Sequence, residues 1–177
     1  IRSNGFTKYF IPRQISSIYL DTLNFDFAKD NINGVSRRKK IRFRWYNDDY
    51  SKIYLEEKKK QNFFVKKNIS NAIDFANKKD LVQNLKEYFL NLNEIHNNFN
   101  YQFILKTNYL RSYWISNDKK IRATIDTNLN TSPINNLSRR LELNETILEL
   151  KFSPSNENFF RNLFIQNNFN LRSKKYS

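Results

Sequence analysis

Apolar and polar residues alternate along much of the chain. In Ile11 to Asp21 (IPRQISSIYLD), Ile18 and Leu20 fall on one face and Ser17, Tyr19 and Asp21 on the other, the two-residue period of a strand. Asn31 to Gly34 carries a turn signal. Arg37 to Trp45 and Ile53 to Lys60 read as strands joined across Asn47-Asp48-Asp49, a hairpin with a short polar loop, and Phe63 to Ile69 adds a further short strand. Between Asn71 and Asn98 the period lengthens. Leu81, Leu85, Tyr88, Phe89 and Leu92 recur at three- and four-residue spacings behind Asp80 as N-cap, which predicts an amphipathic helix. Strands resume at Gln102 to Trp114, Lys119 to Asp126 and Thr146 to Phe152, with Asn128 to Asn136 as a loop. Pro154 to Phe169 reads as a second helix with a stripe of Phe159, Phe160, Leu163 and Phe164. This order of strands, helix, strands and helix at hairpin spacing predicts one α+β domain with an antiparallel sheet.

The polar halves of these strands are charged. Lys40, Arg42 and Arg44 share a face opposite Ile41, Phe43 and Trp45. Lys120, Arg122, Thr124 and Asp126 oppose Ile121, Ala123 and Ile125, while Glu149 and Lys151 oppose Leu148, Leu150 and Phe152. Tyr109 and Arg111 oppose Leu110, and Tyr54, Glu56 and Lys58 share a face of a less amphipathic strand. An ordinary sheet with one solvated face accounts for the pattern. So does a barrel with its charged faces turned inward, and the repetition of cations favours something anionic between them. Six or seven strands are visible, whereas a ligand-holding barrel needs about eight.

Composition narrows the chemistry. Lys and Arg number 31 against 17 Asp and Glu, a net charge of +14, which points to a polyanionic partner. Only two glycines occur in 177 residues, too few for a dinucleotide fingerprint or a Walker loop. Any phosphate must therefore be held by side chains. The absence of cysteine excludes disulfides, thiolate zinc sites and cysteine nucleophiles, and a solitary His96 excludes a two-histidine metal helix. No apolar run reaches the ~18 residues of a membrane span, and with the redox compartment left open by the lack of cysteine a cytoplasmic address is the default expectation.

Seven segments together resemble the VTC-type polyphosphate polymerase domains of the triphosphate tunnel metalloenzyme, or CYTH-like, superfamily. They are SSIYLDT (Ser16 to Thr22), RRKKIRFRWY (Arg37 to Tyr46), LEEK (Leu55 to Lys58), NYLRSYW (Asn108 to Trp114), IRATIDTNL (Ile121 to Leu129), ILELKF (Ile147 to Phe152) and RSKKYS (Arg172 to Ser177). The resemblance covers nearly the whole chain. It implies an eight-stranded antiparallel barrel around a charged tunnel, flanked by helices, in which the γ-phosphate of ATP passes to a growing polyphosphate chain with Mn²⁺ or Mg²⁺. By motif position it implies catalytic roles for Arg42, Arg44, Lys58, Arg111 and Arg122. It gives substrate-binding roles to Lys40, Lys66, Lys151, Arg172 and Lys175, and metal-side roles to Glu149 and Glu56. Lys174 stands where the family pattern carries serine, and the E-x-K strand that opens the family domain has no counterpart in Ile1 to Phe10. Residues 1–177 are thus expected to form a single tunnel domain lacking that first strand.

Arginine offers planar bidentate donors to phosphate and lysine a compact charge. A hard divalent cation suits carboxylate ligands. No nucleophile on the protein is required when a terminal phosphate attacks in line. ATP and polyphosphate are the expected partners, and nucleic acid is not, because Glu56 and Glu149 sit among the cations. A tunnel triphosphatase acting on tripolyphosphate or nucleoside triphosphate, and a catalytically silent polyphosphate-binding module, are the alternatives. Asp21 and Asp126 read as structural, Tyr19 and Tyr109 as wall packing, and His96 as solvent-exposed.

Overall fold

The computed structural model describes residues 2, 5–76, 79–96, 100–158 and 161–162, the side chains of 93–96 excepted. Among these residues eight strands and two helices follow one another: β1 (Phe6–Thr22), α1 (Asp26–Ile32), β2 (Arg37–Tyr46), β3 (Tyr54–Gln61), β4 (Phe64–Ile69), α2 (Leu81–His96), β5 (Tyr101–Ser116), β6 (Arg122–Pro133), β7 (Leu141–Leu143) and β8 (Ile147–Lys151). A 3-10 turn at Pro154–Asn156 comes after β8. The strands pair in the order β4-β3-β2-β1-β5-β6-β7, with β8 also pairing β6. The α+β class and the eight strands agree with expectation. Closure into a barrel is not made by hydrogen bonds among the described residues, since β4 and β7 are the ends of the pairing order.

Several boundaries differ from the sequence pattern. β1 begins at Phe6 rather than Ile11, and β6 continues to Pro133 through a stretch expected to be a loop. Lys119 and Lys120 lie in the turn before β6, where Lys119 takes a left-handed φ of 63°. The strand missing from the sequence count is β7, three residues long. α2 starts at Leu81 rather than Asn71. Asp80 does cap it, its carboxylate accepting the Gln83 backbone N–H at 3.1 Å. The stripe of the predicted second helix (Phe159, Phe160, Leu163 and Phe164), together with Arg172 and Lys175, lies outside the described residues.

Two compact units divide the chain, and the long strands β1, β5 and β6 contribute to both. One comprises Ile15–Asn108 and Asn130–Glu142, the other Ile1–Gln14, Tyr109–Leu129 and Leu143–Ser177. In the former, Ile18, Leu20, Ile41, Phe43 and Trp45 form one face of β1 and β2, and α2 lays Leu85 and Phe89 across it. The Phe43 ring stacks on Phe103 at 5.8 Å and meets the edges of Tyr88 and Phe89 at 6.3 and 6.2 Å. The latter has a smaller core of Phe6, Ile121 and Ala123, with Trp114, Leu148, Leu150 and Phe152 packed around it.

The two hairpins of β2, β3 and β4 turn differently. Asn47 and Asp48 both adopt positive φ (51° and 56°), and the Asp49 N–H returns to the Tyr46 carbonyl at 2.9 Å. That turn opens the longer connection to β3, whose ladder with β2 begins at Arg44 opposite Tyr54. β3 and β4 turn through only Asn62 and Phe63, with Asn62 at φ 54° and Gln61 opposite Phe64.

Candidate functional site

Alternation along β2 sends Arg38, Lys40, Arg42 and Arg44 to the face opposite Phe43 and Trp45. The register aligns β3 with them: Lys60 opposite Arg38, Lys58 opposite Lys40, Glu56 opposite Arg42 and Tyr54 opposite Arg44. β4 sets Lys67 opposite Lys58, and β1 sets Tyr19 opposite Arg42 and Ser17 opposite Arg44. Seven cations thus share this face with one carboxylate besides Asp21. Asp21 is engaged by backbone. Its oxygens accept the backbone N–H groups of Phe27 and Ala28, each at 2.9 Å, and so hold the start of α1.

Glu56 organises one end of the face. Its Oε2 accepts Arg42 Nε at 2.8 Å and Arg42 Nη2 at 2.7 Å, with Arg44 Nη1 at 3.8 Å, and its Oε1 accepts Lys67 Nζ at 2.8 Å. The side chain is only 5% exposed. Burial pushes its carboxyl upward, but the Lys67 hydrogen bond and the Arg42 and Arg44 charges outweigh this and hold it below the ordinary glutamate value. Arg42 also donates from Nη1 to the Tyr19 hydroxyl at 3.0 Å. Burial raises that phenol, yet Arg42, Arg44 and Lys40 overcome it and bring it below its usual value. The Ser17 hydroxyl accepts Arg44 Nε at 3.2 Å.

Further along the face Lys40 and Lys58 have no carboxylate partner among the described residues, and Lys67 reaches back to Glu56. Lys40, Lys58 and Lys67 stand side by side on three neighbouring strands. Burial depresses the Lys40 ammonium below the ordinary lysine value; Tyr19 pulls it back up, and the charges of Lys58, Arg42 and Arg38 push it down again. Like charges directly opposite one another destabilise a sheet, so this row is a costly arrangement without an anion.

Lys66, the expected basic residue after the hairpin, is not in this group. It pairs with Lys59 on the other face of the sheet, and Lys67 reaches Glu56 instead. On that other face Lys39 and Lys59 bracket Glu57 at 2.8 and 3.1 Å.

A second polar cluster belongs to the smaller-core unit. Arg111 grips Asp126 with two bonds of 2.7 Å, Nε to Oδ1 and Nη2 to Oδ2, and its guanidinium lies 5.3 Å from the Tyr109 ring centroid. Burial disfavours the Arg111 charge, but the Asp126 hydrogen bonds and the Tyr109, Asp126 and Glu149 charges more than restore it, leaving its pKa raised. β6 and β8 align Arg122 with Lys151 and Thr124 with Glu149. Glu149 is 46% exposed, with Arg111 Nη2 at 3.9 Å and Lys151 Nζ at 3.4 Å. The Thr124 hydroxyl is buried and has no hydrogen-bond partner. An unsatisfied oxygen across from a half-open carboxylate fits a hard cation or a phosphate oxygen.

Glu56 does not fit a metal in the same way, because both of its oxygens are engaged by cations. Among the described residues no group of three or more His, Cys, Asp and Glu is placed to hold a metal ion. Any cation at Glu149 would therefore depend on substrate oxygens for most of its ligands, which suits Mg²⁺-like coordination.

The structure therefore brings Lys40, Arg42, Arg44, Glu56 and Lys58 together in one unit, and Arg111, Arg122, Glu149 and Lys151 in the other. Tyr19, Ser17, Lys67, Asp126 and Thr124 are participants that sequence reasoning left out of the site. Strand parity marked Tyr19, Ser17, Asp126 and Thr124 on the charged faces, but their hydrogen-bonding state left no trace in the pattern.

No curated protein is similar enough in sequence to count as a relative. Among solved structures, the chain is similar to a candidate adenylate cyclase from Vibrio parahaemolyticus, with a TM-score of 0.50 and 12% identity, covering 92% of this chain and 74% of that one. At that identity the likeness concerns the fold alone. Among the described residues no helix is long and apolar enough to cross a membrane. The VTC domain model matches residues 11–177, spanning both polar clusters, and the chain belongs to the VTC domain family.

Proposed function

We propose that this chain is a polyphosphate polymerase, which transfers the γ-phosphate of ATP to the end of a polyphosphate chain. The observation that carries the proposal is the row Lys40, Lys58 and Lys67 beside Arg42 and Arg44, a run of cations in register with a single shared carboxylate. Such a row matches a ligand with a negative charge on every repeating unit.

In the reaction, an oxygen of the terminal phosphate attacks the γ-phosphorus. The bond from that phosphorus to the β–γ bridging oxygen breaks, ADP leaves, and the chain is longer by one phosphate. The residues contribute position and charge neutralisation, the main needs of phosphoryl transfer. Arg42 and Arg44, pre-aimed by Glu56, Tyr19 and Ser17, would grip non-bridging oxygens. Lys40 and Lys58 would add point charges along the chain. In the other unit Arg111, fixed by Asp126, and Arg122 and Lys151 would serve the same purpose. Mn²⁺ or Mg²⁺, held by Glu149 and the Thr124 hydroxyl together with phosphate oxygens, would supply further neutralisation of the transferring group. Glu56 is a positioning residue in this scheme rather than a metal ligand.

The test is to incubate the full chain with ATP and Mn²⁺ and resolve the products on a gel. Long-chain polyphosphate made by the wild type and lost in Arg42→Ala is the expected result. Phosphate release without chain growth would instead assign a tunnel triphosphatase, and tight polyphosphate binding without turnover would assign a binding module.

A further inference from the structure

The hairpin of β3 and β4 ends in apolar surface that no other part of the described structure covers. Phe63 is 98% exposed and Phe64 82%, and Val65 and Ile69 are each more than half exposed. Their place is unusual because every residue of β4 is exposed and the strand lies at an end of the pairing order. Edge strands are ordinarily blunted with charge, and β4 does carry Lys66 and Lys67, yet two adjacent phenylalanines project from its turn.

The same end of the hairpin is basic. Lys59 and Lys66 face one another across the strands, Lys60 stands opposite both Arg38 and Val65, and Arg37 opposes Gln61. Lys60 and Lys66 have no carboxylate partner among the described residues. On the face of Lys59 and Lys66, the nearby acid among the described residues, Glu57, is already held by Lys39 and Lys59.

We infer that this hairpin tip docks on an anionic lipid bilayer, with Phe63 and Phe64 entering the interface and Arg37, Arg38, Lys59, Lys60 and Lys66 resting on the headgroups. The chemistry is that of peripheral anchors, in which short apolar insertion and a polybasic collar act together. A protein partner fits less well, because a two-residue turn offers little of the roughly 800 Å² per side that a stable interface uses. A nucleic acid fits less well too. Bases stack on aromatics that line a basic groove, whereas these rings stand on a projecting turn without walls. A yielding lipid surface needs neither a broad contact nor a groove.

Flotation of the full chain with vesicles of phosphatidylcholine, with and without phosphatidylserine, tests this. Binding should require phosphatidylserine and weaken as salt is added. Phe63→Ser/Phe64→Ser should lower vesicle partitioning by roughly tenfold or more, given the apolar area withdrawn. Far-UV circular dichroism and ATP turnover in solution should be unchanged in that variant. Lys60→Gln/Lys66→Gln should weaken binding most at low salt. Absence of binding to phosphatidylserine vesicles would overturn the inference, as would a phenylalanine variant that binds as well as wild type. Phenylalanine-dependent binding of a single-stranded oligonucleotide with no vesicle binding would overturn it in favour of a nucleic-acid face.

Discussion

The Arg42 guanidinium gives two of its donors to one oxygen of Glu56, Nε at 2.8 Å and Nη2 at 2.7 Å, while its third nitrogen is tied to the Tyr19 hydroxyl. Both groups are largely out of water. Glu56→Gln keeps the shape but removes the charge, and should cost about 2 kcal/mol of stability, the scale of a hydrogen bond to a charged group. Thermal melting of the two proteins checks it. The Mn²⁺ concentration giving half-maximal activity should be unmoved in Glu56→Gln and raised in Glu149→Gln, which separates positioning from metal binding.

Glu56 also sets a pH dependence. Its folded-state pKa is depressed, so its contribution is present above the unfolded value and is lost as pH falls through the folded one. The stability difference between wild type and Glu56→Gln should therefore be full at neutral pH and shrink below about pH 4.3, the unfolded glutamate value. Denaturation series at neutral and acid pH measure the gap.

Arg111 and Asp126 form a bidentate, mostly buried ion pair in the other unit. Arg111→Ala strands the carboxylate and should cost about 3 kcal/mol. In a protein of this size that is a fall of roughly 6–12 °C in melting temperature. Arg111→Lys should recover only part of it, because one ammonium cannot reproduce the planar fork.

The Tyr19 phenol is held below its usual pKa by Arg42, Arg44 and Lys40 in spite of burial. Ultraviolet titration should show a hydroxyl component that ionises below the usual tyrosine range. Tyr19→Phe should delete that early component and leave the remainder of the curve in place.

Phosphate capture by Arg42 and Arg44 is tested by rate. Arg42→Ala should reduce polyphosphate synthesis by about 10²-fold, the scale seen when one transition-state donor is removed. Lys66→Ala, with its side chain on the opposite face, should leave the rate within about twofold, since a surface substitution of this kind moves stability by only about 0.5 kcal/mol and removes no group from the proposed site. Steady-state assays of the two variants make the comparison.

Much of this was readable before the fold was known, because alternation is a strong signal where one face is apolar and the other cationic. Lys40, Arg42 and Arg44 against Ile41, Phe43 and Trp45 is such a case, and Asp80 marked the start of α2 correctly. What stayed hidden depended on turns and on unpatterned stretches. Lys66 and Lys67 exchange roles according to whether two or three residues make the turn at Asn62, which composition does not reveal. β1 starts among exposed Tyr9, Phe10 and Ile11, where apolar residues run without alternation. β7 has three residues and no period to detect. Glu56 looked like a metal ligand because its motif put it beside a lysine, and only cross-strand register shows three cations around it.

The row of Lys40, Lys58 and Lys67 has a thermodynamic corollary. Repulsion among these ammonium groups is a standing charge on the folded state, and any polyanion that binds the folded chain but not the unfolded one relieves it. Mass action then adds about 2.7 kcal/mol of stability at a hundredfold excess over the dissociation constant. The melting temperature of this protein should rise with the concentration of any polyanion that fits the row, making fold stability a reporter of ligand supply.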